Sequence, residues 1–394
     1  MRVELTRGRR PRPVLLSPTE KSRRNTRLIA GLYALGTLIL FIQAVLTERF
    51  NNFYIFRSSW GHLVHGMPLY QLYPAEHGDL FLYHPSFPVL FFPFAVLPVH
   101  FSLLLWMMLN TFAVFYAVRQ LPATVKQQHA ILLLIMLELL NAIQSSQVNP
   151  AMTAMMLLTL IHLQKGKVRT AALFTCLLFF IKGYGAIVGI MFLFVDRKLE
   201  YLKYCIIFGL AGTLLPLLFI SPATLWQHYL DWFALITDPV IREDCSLFGM
   251  LHAFAHDFSR IPTRADSWIF LAALGGLITA ATCTAIARTE RSRYLLLGYL
   301  MIWVVIFNQA AESPTYVIAV TGAVTVLTLY SHKSVKMVLL VLMIFVTSLC
   351  PTDLVPKFLN DLAVTYQLKA LPLTIVLLYI QLTLFFQSGE VKID

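Results

Sequence analysis

Twelve apolar runs divide this chain, near residues 28–46, 101–118, 129–140, 150–163, 170–182, 186–195, 204–220, 268–287, 294–310, 315–330, 335–349 and 369–386, and none holds more than one charged side chain. A run of ~18 or more apolar residues matches the ~30 Å hydrocarbon layer of a bilayer. In lipid the backbone must satisfy its own polar groups, so such runs become helices. The expected fold is an all-α polytopic membrane protein with about ten to twelve transmembrane helices. Composition agrees, since only 13% of the 394 residues are charged, against about 25% in soluble proteins. A soluble enzyme, a disordered chain and a disulfide-stapled secreted domain are excluded.

Charge sets the expected orientation. With the N-terminus in the cytoplasm, the inside segments hold 23 Lys/Arg and 7 Asp/Glu, and the outside segments 8 and 12. That is the cation bias of cytoplasmic loops, and it accounts for the net charge of +11 without a nucleic-acid partner. The expected layout is a basic cytoplasmic segment 1–27, one transmembrane domain 28–386 with outer loops 47–100 and 221–267, and a cytoplasmic tail 387–394. Segment 84–98 is apolar but carries Pro85, Pro88, Pro93 and Pro98, so it is expected as a re-entrant or interfacial element. A full crossing there would move Lys165, Lys167 and Arg169 outside. No phosphate-binding glycine motif faces the cytoplasm, and no cofactor is expected. Chemistry is expected on the outer face of the cell membrane, periplasmic or extracellular, where the loops have substance.

The first outer loop is the densest in functional side chains: Glu48, Arg49, Asn52, Tyr54, Arg57, then Glu76, His77, Asp79, Tyr83 and His84. Aromatic faces suit a sugar, arginine suits a phosphate, and a carboxylate can take a proton from an attacking hydroxyl. An aromatic belt at the headgroup level is the competing reading. Elsewhere, Lys182 ends an apolar run just before Gly183-Tyr184-Gly185. A lysine at membrane depth is costly and usually has a partner or a purpose; a snorkelling lysine is the alternative. Asn141, Gln144, Ser145, Ser146, Gln147 and Asn149 form an uncharged polar loop, and Asn308, Gln309, Glu312 and Ser313 a second polar cluster. Glu138, near the outer end of a run, is expected to pair with a polar neighbour. In the 221–267 loop, Trp226, Tyr229, Trp232 and Phe233 fall on a near-helical period and suggest an amphipathic helix on the outer leaflet. His252 and His256, four apart and followed by Asp257, lack the further ligand a metal site needs, so no metal is expected.

The run Asn52-Phe-Tyr-Ile-Phe, then Gly66-Met-Pro-Leu-Tyr70, Tyr73-Pro74, Phe81-Leu-Tyr-His-Pro85 through Pro98, Leu105-Trp106 and Asn110 resembles glycosyltransferase family 87. Asn141 to Asn149, Phe180-Ile-Lys-Gly-Tyr-Gly185 and Glu312-Ser-Pro-Thr-Tyr316 extend the likeness. The resemblance implies a GT-C-like membrane enzyme that moves a sugar, typically mannose, from a polyprenyl-phosphate donor to a glycolipid or glycan acceptor, with membrane lipid as a further partner. An Asp opens the first-loop motif in such enzymes; Asn52 stands there in this chain, and a neutral amide cannot act as general base. Asp79, then Glu76 and Glu48, are the expected catalytic carboxylates. Lys182 and Arg57 are expected at the donor phosphate. Asn52, Tyr54, Tyr83, His84, Asn141, Gln144, Asn149, Tyr184 and Glu312 are expected around the substrates. A transporter or lipid flippase, and a non-catalytic membrane partner, remain as alternatives.

Overall fold

The computed structural model describes residues 18–237, 245–255 and 264–389, and no strand occurs among them. The first long apolar run is α1 (Pro18–Thr47), followed by α2 (Asn51–Val64) and the short α3 (Phe87–Ala95). Next come α4 (Val99–Arg119), α5 (Val125–Gln144), α6 (Asn149–Gln164) and α7 (Val168–Ile181). A 3₁₀ helix, Gly183–Phe194, leads to α8 (Lys198–Leu214), α9 (Pro222–Ile236) and α10 (Leu247–Phe254). The chain finishes with α11 (Arg264–Ala287), α12 (Glu290–Ile306), α13 (Tyr316–Tyr330), α14 (Lys333–Leu342) with its π-helical extension Met343–Leu349, α15 (Lys357–Thr365) and α16 (Ala370–Gly389). The protein is an all-α polytopic membrane protein.

Polar contacts mark the two ends of the bundle. At one end Thr26 meets His129 at 2.8 Å, Lys165 donates to Gln120 at 3.2 Å, and Tyr294 donates to Gln164 at 2.9 Å. Arg291 donates to the Tyr330 carbonyl at 3.2 Å at the same end. At the other end Asn52, Tyr83, Asn141, Gln147, Glu312 and Lys369 are joined by hydrogen bonds. Among the described residues twelve helical legs cover the apolar runs of the sequence, one for one: α1, α4, α5, α6, α7, the 3₁₀ helix, α8, α11, α12, α13, α14 with its extension, and α16.

Six helices are long and apolar enough to cross a membrane by length and composition, at 19–47, 99–119, 198–218, 264–287, 313–330 and 370–388. Other legs are shorter. The 16 residues of α6 rise only ~24 Å and the 14 of α7 only ~21 Å. The 3₁₀ helix stretches 12 residues to ~24 Å because its rise is ~2 Å per residue. α6 is buried along most of its length, so it packs against protein rather than spanning bare lipid. α13 lies deepest of the six, with 78% of its apolar window buried, against 11% for 198–218. It sits against α12 where Gly298 and Gly322 meet: a Cβ on Gly322 would fall 2.7 Å from the Met301 Cβ and 3.2 Å from the Gly298 carbonyl oxygen. Small residues of this kind let membrane helices approach closely.

The segment expected as re-entrant forms α3, whose nine residues rise only ~14 Å. It stays at the polar end. Ser86 Oγ donates to the Gly212 carbonyl at 2.7 Å, and Arg57 donates to the carbonyls of Phe94 at 3.2 Å and Leu97 at 2.7 Å. The Phe94 carbonyl lies four residues before Pro98, which has no N–H to donate to it, and Leu97 lies in the link after α3, so both are free to accept from Arg57. The amphipathic helix expected in the 221–267 loop is α9. Ser221 caps it by accepting the Thr224 N–H at 3.1 Å, and Trp226 and Phe233 are exposed. His256 and Asp257 lie outside the described residues.

Candidate active site

Three loops meet at the polar end because three helix breaks fall at the same depth. α5 stops at Gln144, and the turn Ser145 to Val148 reverses the chain, with Ser146 at φ 54°. α7 stops at Lys182, whose extended backbone (φ −138°, ψ 114°) separates it from the 3₁₀ helix. α12 stops before Asn308, and Pro314 helps start a short 3₁₀ turn at Ser313–Thr315.

These breaks build one connected cluster. The buried Tyr83 donates its hydroxyl to Gln147 Oε1 at 3.1 Å, and Gln147 Nε2 donates to Glu312 Oε2 at 2.9 Å. Lys182 Nζ lies over the Tyr83 ring at 5.1 Å, a cation–π position. Among the described residues that half-buried ammonium makes no hydrogen bond or ion pair, yet the Glu312 carboxylate is near enough for its charge to act on it. The same carboxylate acts on Tyr184. Burial first, and then the charge of Glu312, pushes the Tyr83 phenol well above its ordinary pKa. Several polar atoms here are buried without a protein partner: the Tyr184 hydroxyl, both amide atoms of Asn149 and the Ser146 hydroxyl. Buried polar atoms are rarely left so.

Beside this cluster, Asn141 Nδ2 donates to Ser313 Oγ at 3.2 Å. Lys369 donates to that same hydroxyl and to Glu138, each at 3.0 Å. The polar neighbour of Glu138 is therefore Lys369, which also lies 4.9 Å from the Tyr316 ring. A separate cleft of about 480 Å³ is lined by Glu48, Arg49, Asn51, Asn52, Gln144 and Ser145, among others. Asn52 Nδ2 donates to the Ser145 carbonyl at 2.9 Å, so the turn Ser145–Gln147 divides this cleft from the Lys182 cluster.

The sequence-selected residues thus fall into groups. Tyr83, Lys182, Tyr184 and Glu312 come together, with Asn149 two residues after Gln147 and Asn141 bonded to Ser313, the neighbour of Glu312. Glu48, Asn52 and Gln144 line the neighbouring cleft. Asp79 is exposed; its Oδ1 accepts the N–H of Leu80 at 2.7 Å, and its charge reaches Tyr83. Glu76 is exposed and bound to His62 at 3.0 Å. Arg57 is engaged by the α3 carbonyls, and Tyr54 stacks on Phe50 at 4.6 Å. His84 is buried among Phe179, Phe180, Tyr229 and Trp232. Its Nδ1 accepts the Ser86 N–H at 3.1 Å, and burial pushes its pKa down to about 3. His252 pairs with Asp266 at 2.8 Å. Two residues were not singled out from sequence: Gln147, visible only as one of several polar loop residues, and Lys369, the first residue of the last apolar run.

A model of glycosyltransferase family 87 matches residues 81–350, more than half of the chain. The chain belongs to glycosyltransferase family 87. No curated protein matches it. The matched segment contains Tyr83, Gln147, Lys182, Tyr184 and Glu312 together, whereas Glu48, Asn52, Glu76 and Asp79 precede it. The family assignment makes the protein a membrane glycosyltransferase, with donor and acceptor substrates.

Proposed function

We propose that this glycosyltransferase moves a sugar, mannose in this reading, from a polyprenyl-phosphate donor to a hydroxyl of a glycolipid or glycan acceptor, at the bundle end where Lys182 and Glu312 face each other. That end is taken as the outer face of the cell membrane, with both termini cytoplasmic. The observation that carries the reading is the Lys182 ammonium, buried in part, held over Tyr83 and without an ionic partner of its own. A lysine in that state is a ready point charge for a phosphate.

The step is a single displacement. The acceptor oxygen attacks the anomeric carbon and the bond from that carbon to the phosphate oxygen breaks. Polyprenyl phosphate leaves with the electron pair, so the product has inverted anomeric configuration. Lys182 stabilises the charge gathering on the leaving phosphate. Glu312 takes the acceptor proton. It is favoured over Asp79, Glu76 and Glu48 because it shares the cluster with Lys182, whereas Asp79 stands exposed at the rim, Glu76 is held by His62 and Glu48 lies across the Ser145–Gln147 turn.

The test uses purified protein in lipid with polyprenyl-phosphate mannose and candidate acceptors. Transfer is expected in the wild type. Lys182→Ala should weaken donor binding more than ~10-fold with little loss of thermal stability. Glu312→Gln should retain donor binding and lose ~100-fold or more in turnover, the usual scale of general-base catalysis. Lipid movement across the bilayer without a new glycosidic bond would select a flippase instead. Full turnover in Glu312→Gln with loss in Asp79→Asn would move the base to Asp79.

A further inference from the structure

The loop that delivers Tyr83 to the cluster is docked on α2 by a group of side chains the sugar-transfer reaction does not use. His62 on α2, and Glu76 and His77 on the loop, each place one potential ligand atom within 4.8 Å of the other two. His62 Nε2 and Glu76 Oε2 are 3.0 Å apart, close to the spacing of two ligands on one tetrahedral ion. The turn that carries the two loop residues is preset, since the N–H groups of Glu76 and His77 both bond the Tyr73 carbonyl, at 2.8 and 2.9 Å. The Tyr73 ring stacks on His62 at 3.9 Å and fixes the orientation of that imidazole. His77 Nδ1 lies 2.8 Å from the Asp79 carbonyl. A carbonyl only accepts, so Nδ1 carries the proton and Nε2 keeps the lone pair. An outer hydrogen bond of this kind is what orients a metal-binding histidine. His62 and His77 are buried and Glu76 is exposed, so two nitrogen ligands are held in protein and the carboxylate closes the site from the solvent side.

The geometry points to a Zn²⁺-class site formed by His62, Glu76 and His77 that pins the 66–86 loop to α2. Two imidazoles and one carboxylate are a donor set Zn²⁺ favours, with a water as fourth ligand. The proposal stands apart from the sugar-transfer reading, because its ligands touch none of the residues assigned to that reaction.

Chelator-treated, tag-free protein in detergent is titrated with Co²⁺ and then with Zn²⁺. One Co²⁺ per chain, with the visible absorption of a four-coordinate site and displacement by Zn²⁺, is expected. His62→Ala and His77→Ala should each weaken binding more than ~10-fold, the scale at which even outer-shell changes act. Glu76→Gln, at an exposed position, provides a variant that folds independently of the buried histidines and should also weaken binding. His65→Ala, an exposed histidine one turn away, should leave it unchanged. Zn²⁺ should raise the melting temperature of wild type and not of Glu76→Gln. Binding by wild type no tighter than by Glu76→Gln, or equal loss in His65→Ala, would overturn the site; loss of sugar transfer alone would bear on neither outcome.

Discussion

Lys182 and Lys369 show two fates of a lysine near membrane depth. Lys369 is matched by Glu138 at 3.0 Å, both buried, across 231 residues of sequence. Removing one partner of such a pair strands a charge, so Lys369→Met should destabilise by ~3–5 kcal/mol, and Lys369→Met with Glu138→Leu should recover most of it, as read by thermal unfolding. Lys182 has no such partner, and substitution there is expected to touch donor binding before stability. His84 makes a pH prediction. Its folded pKa of about 3 lies below the ordinary 6.5, so between those values the unfolded chain binds more protons. Protonation of Nδ1 would also break the bond from the Ser86 N–H. Stability should be intact above pH ~6.5 and fall as pH drops toward 3. His84→Asn, which keeps an acceptor for that N–H, should flatten the melting-temperature profile; an unchanged slope would remove His84 as its source.

Among the elements, α3 and α9 were legible in sequence for clear reasons: four prolines stop 84–98 from crossing, and an aromatic helical stripe marks α9. The break at Lys182 was visible too, because a lysine beside two glycines interrupts an apolar run. The partners were not visible. Nothing in a single chain pairs Gln147 with Glu312, 165 residues away, or turns Arg57 toward the carbonyls of Phe94 and Leu97. Glu76 reads as a catalytic candidate from the composition of its loop, and its 3.0 Å contact with His62 is not legible there. The α12–α13 contact is a further element-scale feature that depends on backbone proximity. Gly322→Val should force the helices apart at Met301 and cost ~1–3 kcal/mol, whereas Gly31→Ala, with open space around it, should leave the melting temperature unchanged.

At the scale of the molecule, the polar contacts of His129, Lys165 and Arg291 lie at one end of the bundle and the Lys182 cluster at the other, the separation expected if the proposed transfer takes place outside a cytoplasmic membrane. The end that holds Lys165 and Arg291 is the basic one. A second cleft, of about 590 Å³, lies there beside Lys198, Arg288 and Arg293, so a phosphate-bearing donor has two basic destinations and only one of them adjoins Glu312. A structure with a polyprenyl-phosphate sugar analogue bound distinguishes them most directly. The phosphate is expected in contact with Lys182 Nζ, and the anomeric carbon is expected to face the Glu312 carboxylate across from Tyr83. A phosphate seated instead between Arg288 and Arg293, with Lys182 still bare over Tyr83, would contradict the proposed site.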